Sequence, residues 1–194
     1  MINLNNYEIF QKRATLKELS KDTTNPNNTQ YMTNSGKNAI DFDKVKETYE
    51  SRLGLTGKHA SSVDAITHTS DSIVFIEFKN GNMKNEKAKV KEKLRDSLLV
   101  FGGITDKTIS YAREKIDYVL VYNEHKNPLP NQLTRDIVQE SPSRTAIAKH
   151  IAQKGKEEFI LFDLERFKRL YFREVHTFTE TEFESFTEKL ADMS

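Results

Sequence analysis

The chain has 194 residues, of which 36% are hydrophobic and 30% charged, and it contains no cysteine. This length suits one domain with a hydrophobic core, so we expect residues 1–194 to form a single domain. The missing cysteines exclude disulfides and thiolate metal sites, and the formal net charge of +1 leaves only local clusters to indicate a partner. The first twenty residues lack the apolar block of a signal peptide, and no apolar run could span a bilayer, which favours a cytoplasmic protein.

Residues 1–40 are predicted to form an N-terminal helix and a polar loop. Leucine and other apolar residues recur in loose helical spacing over 4–19, and the stretch 20–38 is rich in Asn and Thr, which is typical of a loop or connector. A helix is then predicted to begin near Asp41, because Phe42, Val45 and Tyr49 recur at three- and four-residue steps. Gly54 follows as its stop.

Residues 41–122 are predicted to form the central part of the domain. Two apolar runs separated by the turn-prone residues 69–72 indicate a β-hairpin of 62–68 and 73–79. The sequence from Asn85, a plausible N-cap, predicts a helix that ends at Gly102-Gly103. Residues 116–122 (IDYVLVY) are the clearest buried strand in the chain.

The remaining residues, 123–194, are predicted to add a strand and helices. The pattern indicates a helix from Ser143 to Gly155, a strand over 159–164, a short helix over 164–172 and a last helix from Thr179. Thr179 and Glu182 have the spacing of a capping box. The element order predicts an α/β (α+β) domain, a mixed central sheet flanked by helices.

Three charged side chains are predicted to meet at the open end of the hairpin. Side chains alternate along a strand, so Glu77 and Lys79 share one side of the second hairpin strand, and antiparallel pairing brings Asp64 opposite them. Two neighbouring carboxylates repel unless a cation lies between them, and oxygen ligands suit Mg²⁺. A lysine beside such a site can orient or deprotonate a water. These are the requirements of phosphodiester hydrolysis.

Asp64 and the Glu77-Phe78-Lys79 triplet resemble the signature of the PD-(D/E)xK nucleases, with Val63 in place of the proline. The resemblance covers mainly residues 41–122 and implies a restriction-endonuclease-like fold, whose meander needs one more strand, from 55–60 or from 29–33. It also implies a Mg²⁺-dependent endonuclease, with Mn²⁺ as a substitute ion, that cuts DNA in a restriction, repair, phage or toxin setting. Members often carry a further acid on the first helix, which here implies Glu50, since Glu47 faces away from the apolar stripe.

The helix after the motif is basic and is expected to contact DNA phosphates through Lys84, Lys87 and Lys91. A solvated helix face is the alternative explanation for these lysines. The phenylalanine-rich C-terminal segment is expected to pack on the sheet, and any exposed part of it could form a homodimer interface.

Two other functions fit the same residues. The chain could be a non-catalytic restriction-endonuclease-like module that binds nucleic acid or a protein. It could also be a plain interaction protein in which Glu77 and Lys79 form a surface ion pair of little energetic weight.

Overall fold

The computed structural model describes residues 1–23, 29–57, 59–128 and 160–193. Its strands are β1 (Arg13–Thr15), β2 (Lys21–Asp22), β3 (Gln30–Tyr31), β4 (Asn38–Asp41), β5 (Ala65–His68), β6 (Ile73–Lys79), β7 (Ile116–Tyr122) and β8 (Glu174–Thr179). Its helices are α1 (Leu16–Leu19), α2 (Phe42–Arg52), α3 (Met83–Thr105), α4 (Ile109–Lys115) and α5 (Glu180–Thr187), with 3-10 turns at Leu4–Asn6, Glu8–Gln11 and Glu165–Phe167.

Six strands form one mixed sheet in the order β1-β4-β5-β6-β7-β8, and β2 pairs with β3 in a separate two-stranded sheet. The neighbours from β1 to β6 run antiparallel, whereas β6, β7 and β8 run parallel to one another. The crossover between the parallel strands β6 and β7 contains α3 and α4. This arrangement confirms the predicted α+β class.

The apolar core lies on both faces of the large sheet. On one face Phe75 of β6 packs with Phe42 of α2 and Phe101 of α3. On the other face Val74, Ile76 and Phe78 pack with residues of α1 and α5. Full burial of one such side chain stabilises the folded state by roughly 1.5–3 kcal/mol relative to leaving it exposed. Because β6 alternates, the side chains of Glu77 and Lys79 continue the face that α2 and α3 cover.

Several sequence predictions are confirmed residue by residue. Helix α2 begins after Asp41, whose side chain accepts a hydrogen bond from the Lys44 backbone nitrogen (3.1 Å), and Gly54 adopts a positive φ of 74° just beyond its end. The hairpin of β5 and β6 forms as predicted, with a shorter first strand. The Thr179–Glu182 capping box is present at the start of α5.

The N-terminal prediction is largely wrong. The helical spacing over 4–19 yields two 3-10 turns, the strand β1 and one short α-helix, and the expected loop over 20–38 contains β2 and β3. Each of these elements is too short to produce a clear apolar period, so composition dominated the prediction. Residues 24–28 of that loop lie outside the described residues.

The third strand of the meander comes from neither expected segment. The third strand is β4, at 38–41, which pairs with β5. It lies directly before α2 in the chain. Residues 30–31 belong to the separate two-stranded sheet, and residues 55–57, 59 and 60 form no strand.

The C-terminal prediction is also partly wrong. Residues 160–164 do not form a strand, and Phe162 and Asp163 both adopt a φ of 61°. Only one 3-10 turn forms in the expected helix over 164–172, and the unpredicted strand β8 follows at 174–179. The predicted helix from Ser143 to Gly155 lies outside the described residues.

The phenylalanine-rich C-terminal segment packs on the sheet as expected. Phe167, Phe172 and Phe183 are buried, and Phe162, Phe178 and Phe186 pack partly buried against the two core clusters. In the described residues no helix is long and apolar enough to cross a membrane.

Helix α3 starts and ends at other residues than predicted. Its N-cap is Asn82, and it continues through Gly102 and Gly103 to Thr105, after which Asp106 adopts a left-handed φ of 54°. A Cβ at Gly103 would overlap the Tyr49 hydroxyl of α2 and lie 3.0 Å from its Cζ, and a Cβ at Gly102 would lie 2.9 Å from the Lys107 carbonyl oxygen. The two glycines therefore permit close packing and do not terminate the helix.

We expect Gly103→Ala to lower the free energy of unfolding by about 1–3 kcal/mol, because the added methyl must displace the Tyr49 ring. The measurement is urea unfolding, repeated in a Tyr49→Leu background, where the cost of the alanine should largely vanish. An alanine that stabilises the protein by about 1 kcal/mol, as it would in an unpacked helix interior, would contradict the tight contact.

Candidate active site

Asp64 and Glu77 face each other across the β5–β6 hairpin. The register pairs Ala65 with Ile76, so Asp64 lies next to Glu77, and the Asp64 backbone nitrogen donates to the Ile76 carbonyl oxygen (3.1 Å). The Asp64 carboxylate is fixed in turn, because its Oδ2 accepts a hydrogen bond from the Phe78 backbone nitrogen (2.6 Å). Its other oxygen, Oδ1, points toward the Glu77 carboxylate and a shared cation, Lys93.

Glu77 is completely buried, and two lysines surround its carboxylate. Lys79 Nζ lies 3.2 Å from Glu77 Oε1 and 3.5 Å from Glu86 Oε2 of α3. The predicted grouping of Asp64, Glu77 and Lys79 is therefore present in the structure. Glu86, which was not predicted, anchors the Lys79 ammonium from the opposite side.

Lys93 of α3 is the residue that the sequence analysis missed as a site member. Its Nζ lies 2.9 Å from Asp64 Oδ1, 2.9 Å from Glu77 Oε1 and 3.0 Å from Glu77 Oε2, and its side chain is only 14% exposed. Lys93 follows the buried Val90 by three residues and precedes the buried Ser97 by four, which places it at the edge of the buried stripe. This position could have indicated a partly buried lysine. The periodicity alone does not show which edge of the stripe faces the carboxylates.

Burial and neighbouring charges shift the protonation of this cluster. Burial raises the pKa of Glu77 to about 7, and the Asp64 charge adds to the rise, while Lys93 and Lys79 oppose it. Burial also raises the pKa of Asp64. Burial disfavours the charged form of Lys93, but the charges of Glu77 and Asp64 outweigh it and raise the Lys93 pKa. Lys93 is therefore charged at neutral pH, where Glu77 exchanges its proton.

The two carboxylates have the properties of a site for a hard divalent cation. Asp64 Oδ1 and both Glu77 oxygens converge on a single cationic atom, and the partners of the buried Glu77 Oε1 are the ammonium groups of Lys93 and Lys79. Mg²⁺ commonly binds through one or two carboxylates and retains several waters. A cluster of three or more acidic, His or Cys ligands does not occur among the described residues, so water or substrate would complete the shell. Asp64 and Glu77 therefore fit a Mg²⁺ ion whose remaining ligands are waters or substrate oxygens.

Asp64 and Lys79 line a cleft of about 550 Å³, whereas Glu77 is completely buried next to them. One wall is the β2–β3 sheet, the other is the first part of α3, and Lys21, Lys79, Lys89 and Lys126 line the opening. Asn80, directly after β6, ties the first wall in place. Its Nδ2 donates to Asp22 Oδ2 (2.6 Å) and to Gln30 Oε1 (2.7 Å), and its Oδ1 accepts from Asn123 Nδ2 (2.8 Å).

Glu50, the acid implied by the resemblance, has a different set of partners. Its Oε1 accepts hydrogen bonds from the backbone nitrogens of His59 (3.2 Å) and Ala60 (2.7 Å), which holds the loop that leads to Asp64. Among the described residues no hydrogen bond or ion pair joins Glu50 to Asp64 or Glu77. Glu47 is exposed, as predicted.

The lysines expected to contact phosphates lie away from Lys79. Lys87 and Lys91 place their Nζ atoms 3.2 and 3.5 Å from Asp163 Oδ2, on the side of α3 that faces the C-terminal segment. Lys84 is exposed in the first turn of α3, outside the residues that line the cleft. On α3 it is Lys89, three residues after Glu86, that lines the cleft opening.

The raised pKa of Glu77 predicts a specific pH dependence of stability. Its ordinary value is 4.5 and its folded value is about 7, so between these the folded protein binds more protons than the unfolded chain. The free energy of unfolding in chelator should therefore fall, through this group, as the pH rises from about 4.5 to about 7, by up to about 3 kcal/mol.

Urea unfolding of the parent and of Glu77→Gln between about pH 5 and pH 8 isolates this contribution, because glutamine does not titrate. As the pH rises, the free energy of unfolding of the parent should fall relative to that of Glu77→Gln. Parallel profiles would contradict the raised pKa.

Comparisons of the chain with protein-family models, with curated proteins and with solved structures find no match in any of the three. No family assignment follows from them. The function must be argued from the geometry of the cleft.

Proposed function

We propose that this protein is a metal-dependent nuclease that hydrolyses phosphodiester bonds in DNA. The observation that carries the proposal is the convergence of Asp64 Oδ1 and the Glu77 carboxylate on one cation position, with Lys79 beside it, at the edge of a lysine-lined cleft. The resemblance of Asp64 and the Glu77-Phe78-Lys79 triplet to the PD-(D/E)xK signature supports the same reaction.

Asp64 and Glu77 would hold Mg²⁺, or Mn²⁺ in its place, through Oδ1 and the Glu77 oxygens. The ion, when bound, acidifies a coordinated water and polarises a phosphoryl oxygen. Lys79 is the group of this chain that would orient the attacking water and stabilise negative charge on the phosphate, because its ammonium lies 3.2 Å from Glu77 Oε1. Glu86 holds that ammonium in position from the opposite side. Glu50 contributes indirectly, by bracing the loop that leads to Asp64.

The charge of the cleft supports a polyanionic substrate. The charged residues that line the cleft are Lys21, Lys79, Lys89 and Lys126 and the acids Asp22, Asp64 and Glu86. When Asp64 binds a cation, the remaining lining is positive by two charges. Such a lining attracts a phosphate backbone independently of base sequence.

A non-catalytic nucleic-acid-binding or protein-binding module is the second candidate, and one observation favours it. The Lys93 ammonium already pairs with both carboxylates, so the buried charges are compensated without a metal. A homodimer stays a prediction. The sequence prediction that Lys84, Lys87 and Lys91 contact DNA is untested, and it competes with the cleft, whose lining on α3 contains Lys89 instead.

We expect Asp64→Asn and Lys79→Ala each to reduce Mg²⁺-dependent cleavage of plasmid or linear DNA at least a hundredfold, because each removes a group that holds the ion or the water. Asp163→Asn is the matched carboxylate control, since Asp163 also pairs with two lysines but is 64% exposed and outside the cleft. Cleavage by both cleft variants at the parent rate would refute the assignment, and circular dichroism checks that they remain folded.

The cleft geometry also predicts which lysine of α3 contacts the backbone. Lys89→Ala should weaken DNA binding and reduce the slope of log affinity against log salt by about 0.9, the value expected for one lost phosphate contact. Lys87→Ala, on the same helix, should leave both quantities unchanged because Lys87 pairs with Asp163. Fluorescence anisotropy with labelled duplex in the chelated state measures both variants. A larger loss of DNA binding in Lys87→Ala than in Lys89→Ala would favour the contacts predicted from the sequence over those predicted from the cleft.

A further inference from the structure

We infer that Lys93 is an internal counter-ion that occupies the divalent-cation position in the free protein, so that metal binding requires the displacement of its ammonium. The inference rests on the proposed function for the choice of a divalent ion. It goes beyond that function in stating what competes with the metal.

The first argument is positional. Lys93 Nζ lies 2.9 Å from Asp64 Oδ1 and 2.9 Å from Glu77 Oε1, equidistant from the two carboxylates. A Mg²⁺ ion bridging the same oxygens would lie about 2.1 Å from each. Both cations approach the two oxygens from the space between them, so the ammonium and the ion exclude each other.

The second argument is charge balance. Asp64 and Glu77 carry two negative charges when ionised, and Lys79 and Lys93 supply two positive charges within 3.2 Å of them. These four groups are therefore neutral together without a metal, and Glu86, 3.5 Å from Lys79 Nζ, adds one negative charge. A divalent ion with Lys93 still in place would leave an excess positive charge in a largely buried site, whereas the ion without Lys93 would leave the cluster neutral.

The third argument is the fate of the displaced side chain. Lys93 is the innermost of the charged residues that α3 directs toward the site, and Glu86 and Lys89 of the same helix line the cleft. Its side chain is a flexible four-carbon stem, so the ammonium can leave the carboxylates without movement of the helix. Metal affinity is therefore set by a side-chain competition within a rigid backbone.

The test is a calorimetric titration of chelator-treated protein with Mn²⁺ at one fixed pH near 8 for all variants. Lys93→Met should bind Mn²⁺ at least about tenfold more tightly than the parent, because the competing charge is removed. Lys93→Arg retains a competing cation and should bind no more tightly than the parent. Lys87→Met, on the far side of the same helix, is the control for loss of a lysine and should match the parent.

Thermal melts supply a readout independent of cleavage. In chelator Lys93→Met should melt below the parent, since two buried carboxylates lose their counter-ion, and saturating Mn²⁺ should raise its Tm by more than it raises that of the parent. If the methionine variant does not fold in chelator, Lys93→Gln, which keeps a polar head, takes its place in both measurements.

The outcomes separate the inference from the proposed function. Mn²⁺ binding by Lys93→Met no tighter than that of the parent overturns the inference, even if the parent cleaves DNA. Tight binding by Lys93→Met together with a parent that neither binds Mn²⁺ nor cleaves would uphold the counter-ion role and overturn the nuclease. Absence of Mn²⁺ binding in every variant would overturn both.

Discussion

A buried glutamate near the end of an apolar strand, with a second, largely buried carboxylate beside it, is the constraint around which this structure is organised. Glu77 is fully buried and Asp64 lies beside it, and charges removed from water at this depth are tolerated only when cations and hydrogen bonds compensate them. The Phe78 amide satisfies one Asp64 oxygen, and two lysines from different elements approach the Glu77 carboxylate. The hairpin register brings the two carboxylates together, and α3 supplies a lysine that compensates their charge.

Among the described residues, the cluster reaches solvent through the cleft that Asp64 and Lys79 line. Helix α3 covers the face of β6 that carries Glu77, while the small β2–β3 sheet stands across the opening and is held there by Asn80. Asn80, the residue directly after β6, therefore fixes one wall of the cleft through its side chain. The result is a recessed pair of acids with a basic border, a geometry that favours a negatively charged ligand and a small hard cation together.

The elements that could be predicted from the sequence are those whose pattern is local. Strand β7 is a continuous apolar run, and α2 has both a periodic stripe and capping residues at its ends, so each was placed to within a residue or two. The hairpin followed from its turn, and with it the meeting of Asp64, Glu77 and Lys79. What failed depends on tertiary contacts. Gly103 looked like a helix stop because nothing local shows that Tyr49 packs against it. Lys93 looked like one of many surface lysines because its partners are 29 and 16 residues away in the chain.

The continuity of α3 through its two glycines has a mechanical consequence. The helix has 23 residues, or about 34 Å of length, and it carries Lys93 near its middle and the Tyr49 contact near its end. Because the helix is continuous, the contact of Tyr49 at Gly103 helps to fix the segment that carries Lys93. The position of the backbone that carries Lys93 therefore depends in part on a packing contact almost three helical turns away, at which no charge and no ligand is involved.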